Sequence, residues 1–345
     1  MKTLIAADGF LTPDVLETAL RAEAPEMDLA HIASTWPTPA FGDVAEVQEA
    51  LGDEDELIAA LHGCDIAITH TFPFTERVIA ASPDLKLITV CRGGPVNVNI
   101  DAATAHGVLV TFAPGRNARA TAEHSVGMII AAARQIAQRH VEVIEGNWQT
   151  DYYLFEKTGE EIGSSTVGII GAGAVGGRVA RIMAAFGGTV LVYDPYAGPE
   201  LEGIVEFVDT LDELLERSDI VSIHARVTPQ TRHLINATTI ARMKPGSIFV
   251  NCARGPLVDY DAVCEAIDSG QLWAAAFDCL PIEPLPADHR LLRTPRITFT
   301  PHLAGASKEA ARLAARIGAA DIAAFARGER PAYVANPVLL DGAEG

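Results

Sequence analysis

The sequence predicts an α/β protein built from two parallel-sheet domains, and three observations carry that prediction. Short apolar runs alternate with runs of helical period along nearly the whole chain, as successive strand–helix–strand units require. One apolar run, inside Thr166–Ala180 (TVGIIGAGAVGGRVA), empties into three glycines and then a helix. At 345 residues the chain is also long enough for two hydrophobic cores.

Taken in order, Thr3–Ala7, Ile66–Thr69, Leu87–Val90 and Val108–Phe112 are short and almost wholly apolar or β-branched, and read as buried strands. Between them Pro13–Ala22, Glu76–Ala81 and Ile100–His106 read as helices, giving a parallel α/β domain of its own. Ala118–His140 keeps a helical period and is long, a predicted connector between domains, while Gly146–Ser165 is polar and aromatic without period and predicts an ordered loop. The glycine-rich run supplies a strand and then a helix over Ala174–Phe186, stopped by Gly187 and Gly188 and followed by the strand Thr189–Tyr193. Alternation then resumes with helices at Leu211–Arg217, Ala237–Met243 and Tyr260–Ser269. The strands among them are Ile220–His224, Ser247–Asn251, Trp273–Asp278 and Ile297–Thr300. The alanine-rich helix Lys308–Ala326 has no further strand–helix run after it, so it is expected to pack back on the first domain. No repeat of solenoid period or low-complexity segment is apparent.

Composition narrows the function classes. With 49% hydrophobic and 21% charged residues, no 18-residue apolar run and no charged signal-peptide start, neither secretion nor a membrane partner is expected. Cys64, Cys91, Cys252, Cys264 and Cys279 are odd in number, scattered and without a CxxC pair, which predicts mostly buried thiols in a cytoplasmic protein and gives no metal-site spacing. A net charge of −19 argues against nucleic-acid binding, which needs positive charge to displace counterions from phosphate. Any anionic ligand must then be held against the overall field, by helix N-termini and a few arginines.

The glycine run has a physical reading. Gly171 lets the chain turn tightly off its strand, Gly173 removes a side chain so that backbone amides can approach a pyrophosphate, and Gly176 lets the helix pack on the sheet. Ala174 and Val175 complete the turn, and the pyrophosphate would rest on the helix N-terminus. Asp194 ends the next strand, where a carboxylate accepts hydrogen bonds from ribose hydroxyls and repels a 2′-phosphate; no Arg or Lys follows it closely. The expected cofactor is therefore NAD rather than NADP.

Three candidates for chemistry follow later predicted strands: Arg254 in NCARGPLVD, Glu283 in FDCLPIEPLP and His302 in TPHLAGAS. Ligands of open α/β sheets sit outside the carboxyl ends of the strands, so all three fall on the cofactor side. The planar donors of Arg254 suit a substrate carboxylate and carbonyl oxygen. His302 suits proton exchange with the hydroxyl, help worth about two to four powers of ten in rate. Glu283, within reach, would fix the imidazole tautomer and raise its pKa. Taken singly, each has an ordinary reading as surface ion pair, solvated loop charge or turn cap; their joint placement favours hydride transfer between a nicotinamide and a 2-hydroxy or 2-oxo acid.

These segments, with APGRNARATAEH at Ala113–His124 and SDIVSIHARVTPQTRHLI at Ser218–Ile235, resemble the D-isomer-specific 2-hydroxyacid dehydrogenase family from about Leu87 to His302. The resemblance implies two Rossmann-like or flavodoxin-like parallel-sheet domains with a cleft between them, and usually a homodimer. It divides the chain into a substrate-binding domain at 1–112 plus 304–345 and an NAD-binding domain at 113–303. It further implies that Arg254, Glu283 and His302 are the catalytic triad and Asp194 the ribose-binding acid. Thr121, Thr228, Ala253 and Asp278 would line the cofactor, with Asp278 facing the carboxamide and His224 near the adenosine. Gly93 and Gly94 would hold the substrate carboxylate through backbone amides, with Asn97 as that loop's asparagine.

The chain departs from the pattern in places. Many relatives have a Gly-Val-Gly loop where this chain reads Cys91-Arg92-Gly93-Gly94-Pro95, so Arg92 is expected either to read a second anionic group on the substrate, such as a phosphate, or to form an interdomain ion pair. Ala225-Arg226-Val227 replaces a usually apolar, proline-containing stretch beside the adenine. Only about twenty residues follow the last helix, too few for a regulatory domain, so serine feedback is not expected. Gly115 and Gly305 are hinge candidates at the crossings between domains. The leading expectation is an NAD-dependent dehydrogenase of a small anionic D-2-hydroxy acid, phosphoglycerate-like or hydroxypyruvate- and glyoxylate-like. Formate oxidation is disfavoured because that pattern carries glutamine where Glu283 stands, while phosphite oxidation would tolerate the same triad. A non-enzymatic alternative is an NAD(H)-sensing corepressor of the C-terminal-binding type, which would need a peptide groove and a partner.

Overall fold

The structure, a computed structural model, describes residues 1–37 and 42–341. Residues 38–41 and 342–345, the latter closing the predicted 304–345 segment, lie outside the described residues. Two compact units divide the chain: Met1–Asn117 together with the segment from Ser307 onward, and Ala118–Ala306.

The first unit runs β1 (Lys2–Ala7), α1 (Pro13–Glu23), β2 (Asp28–Ala33), an antiparallel hairpin of β3 (Gly42–Val44) and β4 (Val47–Ala50), α2 (Glu54–Leu61), β5 (Ile66–Thr69), α3 (Glu76–Ala80), β6 (Leu87–Val90), α4 (Ile100–Ala105) and β7 (Leu109–Phe112). Five strands form a parallel sheet in the order β2-β1-β5-β6-β7. Asp53, Thr75 and Asn99 start α2, α3 and α4 by accepting a backbone N–H of the first turn on the side chain. One sheet face is covered by Leu57, Leu61, Val78, Ile79 and Ala103. The other is covered by Leu16 and Leu20 of α1 and the small residues Ala311, Ala314, Ala315 and Ala319 of α11 (Lys308–Ala326), which α12 (Val338–Asp341) follows. Each large side chain so buried contributes roughly 1.5–3 kcal/mol. The alanines of α11 reflect a close approach: a Cβ on its Gly318 would meet Thr89 Cγ2 at 2.9 Å and Ile68 Cδ1 at 3.1 Å.

The second unit runs α5 (Ala118–Arg134), α6 (Ile136–Ile144), β8 (Thr166–Ile170), α7 (Gly176–Ala185), β9 (Thr189–Tyr193), β10 (Glu206–Phe207), α8 (Leu211–Arg217), β11 (Ile220–Ile223), α9 (Ala237–Ile240), β12 (Ser247–Asn251), α10 (Tyr260–Ser269), β13 (Leu272–Phe277) and β14 (Ile297–Phe299). Its seven parallel strands lie in the order β10-β9-β8-β11-β12-β13-β14. The winding reverses at β8, and it is at such a reversal, outside the carboxyl ends of the strands, that open α/β sheets bind ligands. Val126, Ile129, Val179 and Met183 cover one face; Leu214, Leu215, Val263 and Ile267 cover the other.

Several elements differ from the sequence reading. The predicted helix Ala118–His140 is two helices, broken where Gln135 takes φ 55°, with no glycine or proline to mark the break. β2, the β3–β4 hairpin, α2 and β10 were not anticipated. β2 is an edge strand whose DLAHIA mixes exposed polar with half-covered apolar residues, and α2 opens on three consecutive acids, so neither shows a clean apolar period. The predicted loop Gly146–Ser165 contains three single 3-10 turns, at Asp151–Tyr153, Phe155–Lys157 and Ile162–Ser164.

Candidate active site

The glycine turn leaves β8 at the reversal point. Gly171 takes φ 88°, and its N–H donates to Tyr193 O at 2.9 Å. A Cβ on Gly176 would lie 1.9 Å from Gly171 O, so no other residue lets α7 start this close to the strand. Around Gly173 a Cβ would meet nothing within 4 Å: the turn faces open space. Val175, at the N-cap of α7, supplies no side-chain cap, and the N–H groups of Gly173, Ala174, Val175 and Gly176 make no hydrogen bond among the described residues. Unsatisfied donors on a helix N-terminus beside open space fit a pyrophosphate.

Asp194 closes β9 with its carboxylate already oriented: Oδ2 accepts Ala172 N at 2.7 Å and Oδ1 accepts Tyr196 N at 2.8 Å. The remaining lone pairs are those a ribose diol would use. His224, after β11, packs behind the glycine turn with Ser222 Oγ 3.0 Å from Nε2. Desolvation brings its pKa down to about 4, so its ring is neutral. These features together fit a bound NAD.

The other cofactor-lining candidates fall at the same sheet edge or on α5. Ala253 follows β12, and its carbonyl accepts Cys279 Sγ at 3.2 Å and Arg254 Nη1 at 2.7 Å. Thr228 lies in an exposed turn closed by Thr231, and Thr121 is on α5, its carbonyl accepting Ser125 Oγ at 2.7 Å. Asp278 is fully buried, and its carboxylate accepts Thr300 Oγ1 at 2.6 Å, Leu303 N at 2.9 Å and Ala304 N at 3.0 Å. The loop carrying His302 is thus tied to the end of β13 by a buried carboxylate.

Arg254, Glu283 and His302 follow β12, β13 and β14. Glu283 Oε2 stands 2.6 Å from His302 Nδ1, while Oε1 accepts Leu280 N at 2.8 Å. His302 takes φ 50° and donates its backbone N–H to Asp278 O at 2.9 Å, which fixes where the ring can point. The sulfur of Cys279 beside the ring, and then the Glu283 carboxylate, raise the His302 pKa to about 10 against the opposing effect of burial. Burial pushes Glu283 upward, but the hydrogen bonds from His302 and Leu280 and the charge of Arg254 outweigh it and leave its pKa below the ordinary value. Arg254 is exposed, with its backbone carbonyl accepting Asn251 Nδ2 at 2.9 Å.

In the first unit, Arg92, Gly93 and Gly94 follow β6. The Arg92 guanidinium is occupied: it pairs with the Glu49 carboxylate and donates to Glu49 O at 3.0 Å, an ion pair inside one unit. The N–H groups of Gly93 and Gly94 make no hydrogen bond among the described residues. Asn97 is buried and donates Nδ2 to Phe72 O at 2.9 Å, leaving Oδ1 without a partner.

The sequence reading passed over three features. Cys279 lies inside the quoted FDCLPIEPLP segment, with its sulfur within 4.8 Å of ligand atoms of Glu283 and His302. Asp8 and His70 form a buried pair, Oδ2 to Nδ1 at 2.7 Å, and Thr71 Oγ1 donates to the same oxygen at 2.9 Å. Arg116 lies over the Phe10 ring with Nε and Nη1 buried and unpartnered. Asp8 and His70 each follow a predicted strand directly, so the strand-end rule that found Arg254 would have found them too.

The family model for the NAD binding domain of D-isomer specific 2-hydroxyacid dehydrogenases matches residues 126–304. The D-3-phosphoglycerate dehydrogenase of Mycobacterium tuberculosis (strain H37Rv) is 39% identical over 275 residues, covering 79% of this chain and 51% of that protein. The chain therefore spans about half the length of the phosphoglycerate dehydrogenases it matches. The glyoxylate reductase of Thermofilum pendens is 33% identical over 315 residues, 90% of this chain and 89% of that protein. Among solved structures, the NAD complexed form of the D-isomer specific 2-hydroxyacid dehydrogenase from Lactobacillus delbrueckii ssp. bulgaricus superposes with a TM-score of 0.80 at 25% identity, over 97% of this chain and 100% of that one.

Proposed function

The chain belongs to the D-isomer-specific 2-hydroxyacid dehydrogenase family, and from that premise we propose that it catalyses reversible oxidation of a small D-2-hydroxy acid with NAD. The observation that carries the proposal is the Glu283–His302 hydrogen bond at the carboxyl edge of the nucleotide-binding sheet.

NAD, which the Gly171–Gly176 turn and Asp194 would hold, would supply hydride transfer in either direction. The protein's own part is the proton and the orientation of the acid. With Nδ1 held by Glu283, Nε2 of His302 is the nitrogen left to exchange a proton with the substrate oxygen. Its pKa of about 10 keeps the ring charged at neutral pH, so the chain stands ready as the acid that protonates a ketone undergoing reduction. Arg254 presents a planar pair of donors to carboxylate and carbonyl oxygen. The unpartnered N–H groups of Gly93 and Gly94 are suited to a carboxylate, and Asn97 holds their loop through Phe72. Asp194 selects NAD over NADP through its charge.

Substrates named for the relatives are a phosphorylated and an unphosphorylated acid, and Arg92 is the residue proposed to discriminate, by exchanging Glu49 for a second anionic group. A homodimer is proposed from α6 and the segment after it, which expose Ile136, Val141, Val143, Ile144, Trp148 and Phe155. No described helix is long and apolar enough to cross a membrane.

The test is NADH oxidation against glyoxylate, hydroxypyruvate, pyruvate, 2-oxoglutarate and phosphorylated 2-oxo acids, with NADPH in parallel. Turnover that falls at least a hundredfold in His302→Ala is the expected result. Silence across the panel while NADH still binds would sink the dehydrogenase reading. An Arg92→Ala enzyme that keeps the substrate ranking unchanged would remove Arg92 from recognition.

A further inference from the structure

We propose that Cys279, Glu283 and His302 form a binding site for a thiophilic divalent cation, zinc above all, and that its occupancy silences the dyad. The proposal rests on the reading of Glu283 and His302 given above for its inhibitory consequence, but the site itself stands on geometry.

One ligand atom from each residue, a sulfur, a carboxylate oxygen and an imidazole nitrogen, lies within 4.8 Å of the other two. Zinc binds such atoms at about 2.0–2.3 Å in tetrahedral geometry, which places them roughly 3.5 Å apart around one ion. Side-chain rotations of about an ångström therefore close the site, with no change in the strands that carry it. The sulfur is the fixed member: Cys279 is buried, Sγ contacts Ala253 O at 3.2 Å, and its carbonyl accepts Tyr260 OH at 2.5 Å. Glu283 and His302 are the mobile and accessible ones, with side chains 36% and 43% exposed, so an ion can arrive from solvent and meet the thiol behind them.

The donor set also selects the ion. Magnesium and calcium demand six or more oxygen ligands, whereas a thiolate, an imidazole and a carboxylate suit zinc or cadmium, with the fourth position left to water. Binding breaks no covalent bond except S–H and N–H. The Cys279 thiol gives its proton to solvent, the His302 imidazolium gives up its own, and the three lone pairs go to the metal. His302 and Glu283 are thereby withdrawn from proton exchange, and the metal binds more tightly as pH rises.

The test uses cadmium as a spectroscopic substitute on the whole chain, reading the ultraviolet thiolate-to-metal charge-transfer band, and zinc in the NADH-oxidation assay. The expected result is a band saturating at one equivalent, absent from Cys279→Ala, with the zinc concentration for half-inhibition raised at least tenfold in that variant. His302→Gln should weaken cadmium binding at least tenfold while keeping the band at saturation, a check that does not depend on how Cys279→Ala folds. No band in the wild-type chain, or a band that Cys279→Ala retains, overturns the site. A band with undiminished turnover overturns the inhibition. Should no substrate turn over, the dehydrogenase reading fails, and the band alone still decides the site.

Discussion

His302 shows how a single side chain is tuned by what lies behind it. An ordinary imidazole is mostly neutral at pH 7; with the Cys279 sulfur and the Glu283 carboxylate against it, this ring holds its proton to about pH 10. The sign follows directly: the charged form is full below that value and lost above it. Reduction, which consumes the proton, should fall as pH rises through about 10, whereas oxidation, which needs the neutral ring, should climb over the same range. In Glu283→Gln the carboxylate contribution is gone, so both limbs should move to lower pH, with maximal reduction rate down roughly tenfold or more. Unshifted pH profiles of kcat/KM for wild type and variant would rule out this coupling. That Arg254, Glu283 and His302 deserved scrutiny was legible in the sequence, since each follows a strand; that Cys279 shares their site was not, because proximity of Cys279 to His302 depends on how β13 and β14 pair.

At the scale of elements, the β8–α7 unit was the most legible part of the chain because its geometry is written into residue types. Gly171 answers a positive φ, Gly176 a backbone contact, and Gly173 leaves the turn open, while a strand, turn and helix follow in order. Gly176 is the strictest: the 1.9 Å approach to Gly171 O cannot be relieved by rotating a side chain, because the obstacle is backbone. Gly176→Ala should therefore force α7 away from the sheet, cost about 1–3 kcal/mol or more in stability, and weaken NAD binding at least tenfold. Urea unfolding combined with NADH fluorescence titration measures both, and unchanged values would contradict the packing described. Elements were lost to the reading where apolar period fades, as in the edge strand β2 and the acid-led α2. The break at Gln135 was invisible for another reason: helical periodicity continues on either side of a left-handed residue, and the residue type gives no sign of it.

For the whole molecule, α6 and the segment after it group several of the exposed large apolar side chains of the described residues along one stretch. Ile144 is 71% exposed, Trp148 80% and Phe155 91%, in a stretch where α6 has no buried residue at all. Scattered exposed apolar residues are ordinary, and this many along one segment is the ground on which the homodimer is proposed. In a homodimer the same patch meets its own copy, so one substitution acts twice. Val143→Asp together with Ile144→Asp should convert a dimer to a monomer in sedimentation velocity, with the monomer losing thermal stability. A wild-type chain that sediments as a monomer would remove the homodimer.

Residue order by itself determined the α/β class, the glycine turn with its acidic partner Asp194, and the three strand-end residues, because these depend on local periodicity and on what a tight turn permits. Only the tertiary structure decided which groups meet. Arg92 is matched to Glu49, Asp278 ties down the loop of His302, and Cys279 joins Glu283 and His302. Apart from Cys279 and Glu283, neighbours in one loop, those pairings join residues far apart in the chain, and strand order and register set them; neither is encoded by any local pattern.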